Sequence, residues 1–148
     1  VQLPESGGML ASEAFVNSAI SALPAPHSVD WVDYSLISTI NGFSTITTKS
    51  IWVMTNRTEN TLFVNFTIEG TSNATLFNFS LPETCTTLCE GMGIRVRNNN
   101  SVLAAAGLFS ISAGTRIVNL YQNGSGAAWT ATNAKRASGQ FHMRFTPA

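Results

Sequence analysis

Residues 61–69, T-L-F-V-N-F-T-I-E, and 74–81, A-T-L-F-N-F-S-L, decide the reading of this chain. In the first, Leu62, Val64, Phe66 and Ile68 share one side of an extended backbone, and Phe63, Asn65, Thr67 and Glu69 share the other. In the second, Thr75, Phe77, Phe79 and Leu81 alternate with Leu76, Asn78 and Ser80. Successive side chains of a strand point to opposite faces, so a period of two marks strands with one face in a core. Gly70-Thr-Ser-Asn73 between them is turn chemistry, and the two segments are expected to pair as a hairpin.

The same pattern continues outward. Residues 29–40 read as an extended run broken at Asn41-Gly42, and 44–54 as a further strand. In 92–97, Ile94 and Val96 take one face and Arg95 and Arg97 the other. Strands are expected at 114–121, 127–132 and 138–145, and 101–111 is either strand or a close-packed crossing. Asn98–Asn100 and Asn123-Gly-Ser-Gly126 supply turns. Short strands at this spacing, with no βα alternation, predict a mainly β chain: an antiparallel, jelly-roll-like β-sandwich. Composition agrees. Only 11% of residues are charged, against roughly 25% in ordinary domains, while 13 Asn, 16 Ser and 17 Thr fill the polar positions. Those residue types suit strand and turn surfaces.

One stretch reads as helix. In residues 11–23, A-S-E-A-F-V-N-S-A-I-S-A-L, Ser12 is an N-cap and Glu13 complements the helix dipole. Phe15, Val16, Ile20 and Leu23 form an apolar stripe, and Pro24 and Pro26 end the helix. So short a helix is marginal alone in water, and its stripe must dock on something. The chain therefore divides into a lead-in and short helix, 1–26, and a β head domain, 27–148.

Net charge is zero, but all eight carboxylates lie at or before Glu90 and six of the eight basic residues lie after it. Arg95, Arg97, Arg116, Lys135, Arg136 and Arg144 are scattered in sequence, which disfavours nucleic acid. Interleaved strands, or basic and acidic surfaces of neighbouring subunits, would neutralise the two halves instead. No apolar run approaches the roughly 20 residues of a membrane span, so no membrane insertion is expected. Cys85 and Cys89, in C-T-T-L-C, are either two free thiols or one small-loop disulfide. No zinc pattern, phosphate-cradling glycine loop or G-x-S-x-G turn is readable, and no metal or cofactor is expected. His27 lies in a linker, His142 alternates with Phe141 and Met143 in a strand, and no enzymatic activity is predicted.

Sequons stand at Asn56, Asn65, Asn73, Asn78 and Asn123, and composition accounts for most of them. Trp31, Trp52, Trp129, Tyr34 and Tyr121 are either core residues or platforms for sugar rings. Tyr121 and Trp129 flank the turn at Asn123, so Tyr121, Asn123 and Trp129 form the candidate glycan site.

Two segments carry a resemblance. G-G-M-L-A-S-E-A-F-V-N-S-A-I at 7–20 resembles the A-T-x-A-Y-V-D-x-x-I element of bacteriophage tail fibres and related virion fibres, matching at Ala11, Ser12, Ala14, Phe15, Val16, Asn17 and Ile20. Residues 114–141, G-T-R-I-V-N-L-Y-Q-N-G-S-G-A-A-W-T-A-T-N-A-K-R-A-S-G-Q-F, look like the closing strands of small β-sandwich heads in phage receptor-binding proteins. The resemblance implies a homotrimer whose interface includes Phe15, Val16, Ile20 and Leu23. It implies a structural protein on the virion surface, in tail or capsid, that joins other virion proteins through its N-terminal segment and binds host-surface carbohydrate. The competing readings are a capsid decoration or head fibre with a purely structural role, and a carbohydrate-binding module.

Overall fold

The structure, a computed structural model, describes residues 30–148. The helix expected at 11–23, with Phe15, Val16, Ile20 and Leu23, lies outside the described residues.

Ten strands form among the described residues: β1 (Val32–Asp33), β2 (Ile40–Asn41), β3 (Phe43–Asn56), β4 (Thr61–Ser72), β5 (Phe77–Ser80), β6 (Cys89–Asn98), β7 (Ser101–Val102), β8 (Gly107–Ile111), β9 (Ile117–Tyr121) and β10 (Ala134–Arg144). They join in one antiparallel sheet of order β1-β3-β4-β10-β6-β8-β9-β5-β2, with β7 beside β6. The period-two pattern of residues 61–69 is realised in full. Leu62, Val64, Phe66 and Ile68 are buried to within 1%, and their neighbours between them are half-buried on the outer face. Burying side chains of this size contributes about 1.5–3 kcal/mol each.

Two glycines explain the curl of this sheet. Gly93, at φ 118°, sits in a register shift between Met92 and Ile94 of β6. β6 pairs with β8 as far as Ile94, just past the shift, and with β10 from Arg95 onward. A bulge bends its strand, and the positive φ suits glycine. Gly42, at φ 97°, is the one residue between β2, last in the strand order, and β3, second in it. Adjacent Cα atoms lie about 3.8 Å apart, so the two ends of the order must meet there. A Cβ on Gly42 would fall 2.4 Å from the Leu76 carbonyl oxygen and 2.8 Å from Phe77 Cβ.

The curled sheet encloses a single core. Phe66 of β4 meets Phe79 of β5 at 4.9 Å between ring centroids, and Phe43 of β3 meets Phe77 of β5 at 4.7 Å. Phe109 of β8 stacks on Phe141 of β10 at 4.4 Å.

Three sequence expectations change. Residues 61–69 and 74–81 are both strands with the expected inner faces, but they are not a hairpin. β4 lies between β3 and β10, and β5 lies between β9 and β2. Alternation identifies the face a strand buries, not the neighbour it pairs with. Residues 127–132 carry no strand, because Trp129 leaves the sheet to plug the core. Of the run expected at 29–40, the described residues, 30–40, form strand only at β1 and β2. Between them the Tyr34 carbonyl accepts hydrogen bonds from the amides of Ile37 and Ser38, closing a turn.

Candidate functional site: the outward face of β6, β10 and β4

The corner expected to bind sugar is built as structure. Trp129 is 2% exposed, its ring lies 5.0 Å from that of Phe77, and its indole Nε1 donates to the Leu120 carbonyl at 2.7 Å. It has no free face for a ligand, which corrects its assignment to a glycan site. Asn123 is committed to its own turn. Its Oδ1 accepts from the Ser125 amide at 3.1 Å, the Ser125 hydroxyl at 2.8 Å and the Ala127 amide at 3.1 Å. Tyr121 is half-buried at the end of β9, opposite Leu108 of β8. Of the three, Tyr121 and Asn123 are half-buried and only Trp129 is closed off.

Cys85 and Cys89 are free thiols. Cys85 Sγ donates to the Thr87 carbonyl at 2.8 Å. Burial pushes the Cys85 thiol above its usual range and does the same at Cys89, where Cys85 and Glu90 add to the effect. Raised thiols are poor nucleophiles. Ser35 holds the carboxyl of Asp33 below its usual range, through its hydroxyl and then its amide. His142 is exposed on the outer face and tilts against Phe63, with 5.7 Å between centroids. No group of three or more His, Cys, Asp or Glu gathers as a metal site among the described residues.

A different constellation forms on the outside of the sheet. β6 turns Ile94 and Val96 inward and Arg95 and Arg97 outward, as its alternation predicts. β10 pairs with it so that Arg136 stands directly opposite Arg97, and Ser138 opposite Arg95. On the other side of β10, Glu69 of β4 stands opposite Arg136 and Thr67 opposite Ser138. Three arginines from distant parts of the chain thus share one patch with one carboxylate. Their scatter in sequence is not scatter in space. Interleaving of the acidic and basic halves does occur at Glu69, but it leaves a local excess of positive charge.

That excess is poorly satisfied. Arg97 Nη1 lies 3.5 Å from Glu69 Oε1, and Arg136 Nη1 lies 3.7 Å from Glu69 Oε2. Charge-assisted hydrogen bonds run nearer 2.7–2.9 Å. None of the three guanidiniums makes a hydrogen bond to a described residue, and Arg97 Nε is buried without a partner. Three other arginines differ. Arg57 Nη2 donates to Glu83 Oε1 at 2.6 Å, Arg144 Nη1 to the Glu59 carbonyl at 2.8 Å, and Arg116 Nε to Thr84 Oγ1 at 3.2 Å. Arg95, Arg97, Arg136, Ser138 and Val102 line a shallow, open depression of about 110 Å³. Sequence reasoning placed Arg95 and Arg97 on one outer face but missed the site, because Arg136 joins them only through the register of β10. No family model, curated protein or solved structure matches this chain.

Proposed function

We propose that residues 27–148 form the head of a virion surface protein, which assembles as a homotrimer and then attaches its particle to a host-surface glycan. In this reading the curled sheet is a jelly-roll-like sandwich, and the segment 1–26 joins the head to other virion proteins. The role is recognition and assembly, with no catalysis.

One observation carries the assembly part. Trp31, Val32, Leu36 and Ile37 are exposed by 44, 58, 96 and 69%, all within one short stretch. Apolar residues concentrated at a surface mark an interaction site. This stretch begins one residue after Asp30, the first described residue, and so adjoins the segment that carries Phe15, Val16, Ile20 and Leu23. The occupant we assign is a neighbouring copy of the chain, held there by the N-terminal segments.

Analytical ultracentrifugation of the full chain tests this. A trimer at micromolar concentration is expected, and the double substitution Leu36→Asp, Ile37→Asp should shift it to monomer with an unchanged β-type circular dichroism spectrum. A wild-type chain that sediments as a monomer overturns the trimer. A trimer that binds no glycan would fit a purely structural capsid decoration instead.

A further inference from the structure

We infer that the depression between β6, β7 and β10 is a binding site for a carboxylated sugar, with Arg95, Arg97 and Arg136 holding the carboxylate. This names a ligand class and a place that sequence reading did not, and it stands whether or not the chain trimerises.

Register is the first argument. Arg97 and Arg136 are directly paired Cα positions on adjacent strands, and like charges so placed destabilise a sheet. Arg95 adds a third cation two residues along the same face of β6. A fold that needed only surface polarity there would be more stable with Thr or Ser, as at Thr67, Ser50 and Ser138 on the same face.

Unused hydrogen-bonding capacity is the second. Each guanidinium carries five N–H donors in a planar fork. Here the forks of Arg97 and Arg136 share one carboxylate, at distances beyond good hydrogen bonds, and Arg95 has none within 4 Å among the described residues. The Glu69 carboxylate comes within 4 Å of both Arg97 and Arg136, and it shows what group the pair is oriented to accept. A ligand carboxylate on the open side would complete what Glu69 leaves unmet.

Shape and surroundings separate a sugar acid from a polyanion. The depression is small, about 110 Å³, below the roughly 300–1,000 Å³ of sites that enclose a whole drug-sized ligand, so it seats a single carboxylate while the rest of the ligand lies along the sheet. On the same face, the outward positions of β10, β4 and β3 continue with neutral groups: Ser138 and Gln140, Thr67 and Asn65, Ser50. Hydroxyls and amides of this kind match sugar hydroxyls, while a nucleic-acid backbone needs a continued basic track. Val102 supplies an apolar edge to the depression.

Saturation-transfer difference NMR on the full chain tests the assignment with four probes: glucuronate, glucose, inorganic sulfate as a competitor, and a short single-stranded DNA. Transfer to glucuronate and not to glucose is expected. Arg97→Gln and Arg136→Gln should each lower the glucuronate affinity at least tenfold, and Arg95→Gln, at the most exposed of the three positions, should lower it severalfold. If sulfate displaces glucuronate only in large excess, the sugar acid is the ligand. If sulfate binds as well as glucuronate, the site takes any small oxyanion and the sugar assignment fails. Equal transfer to glucose, or affinity unchanged in all three variants, overturns the site. DNA binding tighter than glucuronate, and lost in the same variants, replaces it with a nucleic-acid face. Thermal melts of the variants within a few degrees of wild type exclude a folding artefact, and Arg95→Gln keeps the test open should either of the other two misfold.

Discussion

The loop corner at Tyr121–Trp129 and the outward face at Arg95–Arg136 carry the residues that most invite a functional reading, and they use them in opposite ways. At the corner, an aromatic ring is turned to the inside of the molecule and an amide oxygen is engaged in its own turn. Trp129 has a packed ring and a bonded indole N–H, and Asn123 Oδ1 accepts three hydrogen bonds. On the face, three guanidiniums stand on the outer side of the sheet and make no hydrogen bond to a described residue. Residue type alone ranks the corner above the face, since Trp, Tyr and Asn suit sugar. Satisfaction reverses the ranking. A polar or aromatic group whose contacts are complete within the fold belongs to stability, and one left incomplete has capacity for a partner.

If that division holds, the largest stability effect lies at the corner. Trp129→Ala removes a buried aromatic side chain, a loss of about 3–5 kcal/mol in comparable cores. For a chain of this size that lowers the melting temperature by roughly ten to twenty degrees. Trp129→Phe keeps much of the packing but leaves the Leu120 carbonyl without its donor, so a smaller loss of about 1–3 kcal/mol is expected. Calorimetry on the two variants measures both. A Trp129→Ala melt near that of wild type would show that the ring is not a core residue, and would return it to the candidate glycan site.

The same contrast shows how much of this molecule was legible from its sequence. Alternation at Leu62, Val64, Phe66 and Ile68, and at Phe77, Phe79 and Leu81, reported burial correctly because side-chain direction is local. Pairing is not local. Nothing in residues 61–81 says that β4 and β5 sit in different parts of the strand order, and nothing near Arg97 says that Arg136 lies across from it. Trp129 was misplaced for a related reason. Its surroundings read as a strand, but its burial depends on Phe77 and Leu120, which reach it from β5 and β9.

A second test lies between the two regions, at Lys135. It is fully buried next to Arg136, and its ammonium donates to Asn99 Oδ1 and the Thr132 carbonyl. Burial holds its pKa below the usual 10.5. Between that lowered value and 10.5 the unfolded chain binds more protons than the folded one, so stability from this group rises with pH in that window. Below the window the full cost of burying the charge remains. Lys135→Met removes two charge-assisted hydrogen bonds, whose acceptors sit on exposed residues, and should lose about 1–3 kcal/mol at neutral pH. The advantage of wild type over the variant should then widen as pH rises toward 10.5. The raised thiols of Cys85 and Cys89 act in the opposite direction, since their contribution is lost as pH rises through their folded values. They are common to both proteins and cancel in the difference. Thermal melts of the pair across this range decide the point, and a constant difference would mean that Lys135 keeps its ordinary pKa in the fold.

The smallest effect is the most diagnostic, because it concerns sign. Arg57 and Arg136 are both arginines with roughly half-exposed side chains, and each is near a glutamate. Arg57 meets Glu83 at 2.6 Å and lies over the ring of Phe145, 5.5 Å from its centroid. Arg57→Gln should therefore lower stability, by up to about 1 kcal/mol for an exposed pair. Arg136 competes with Arg97 for a single Glu69 and faces Arg97 directly across the strands. Arg136→Gln relieves that repulsion and still leaves Glu69 to Arg97, so stability should hold or rise by a few tenths of a kcal/mol. Denaturant melts at low salt, where surface charge is least screened, resolve the two. Opposite signs would mean that the fold retains Arg136 at its own expense, as expected of a residue kept for a ligand. Equal losses would mean that Arg136 is a structural residue like Arg57, and the outward face would then resemble the corner after all.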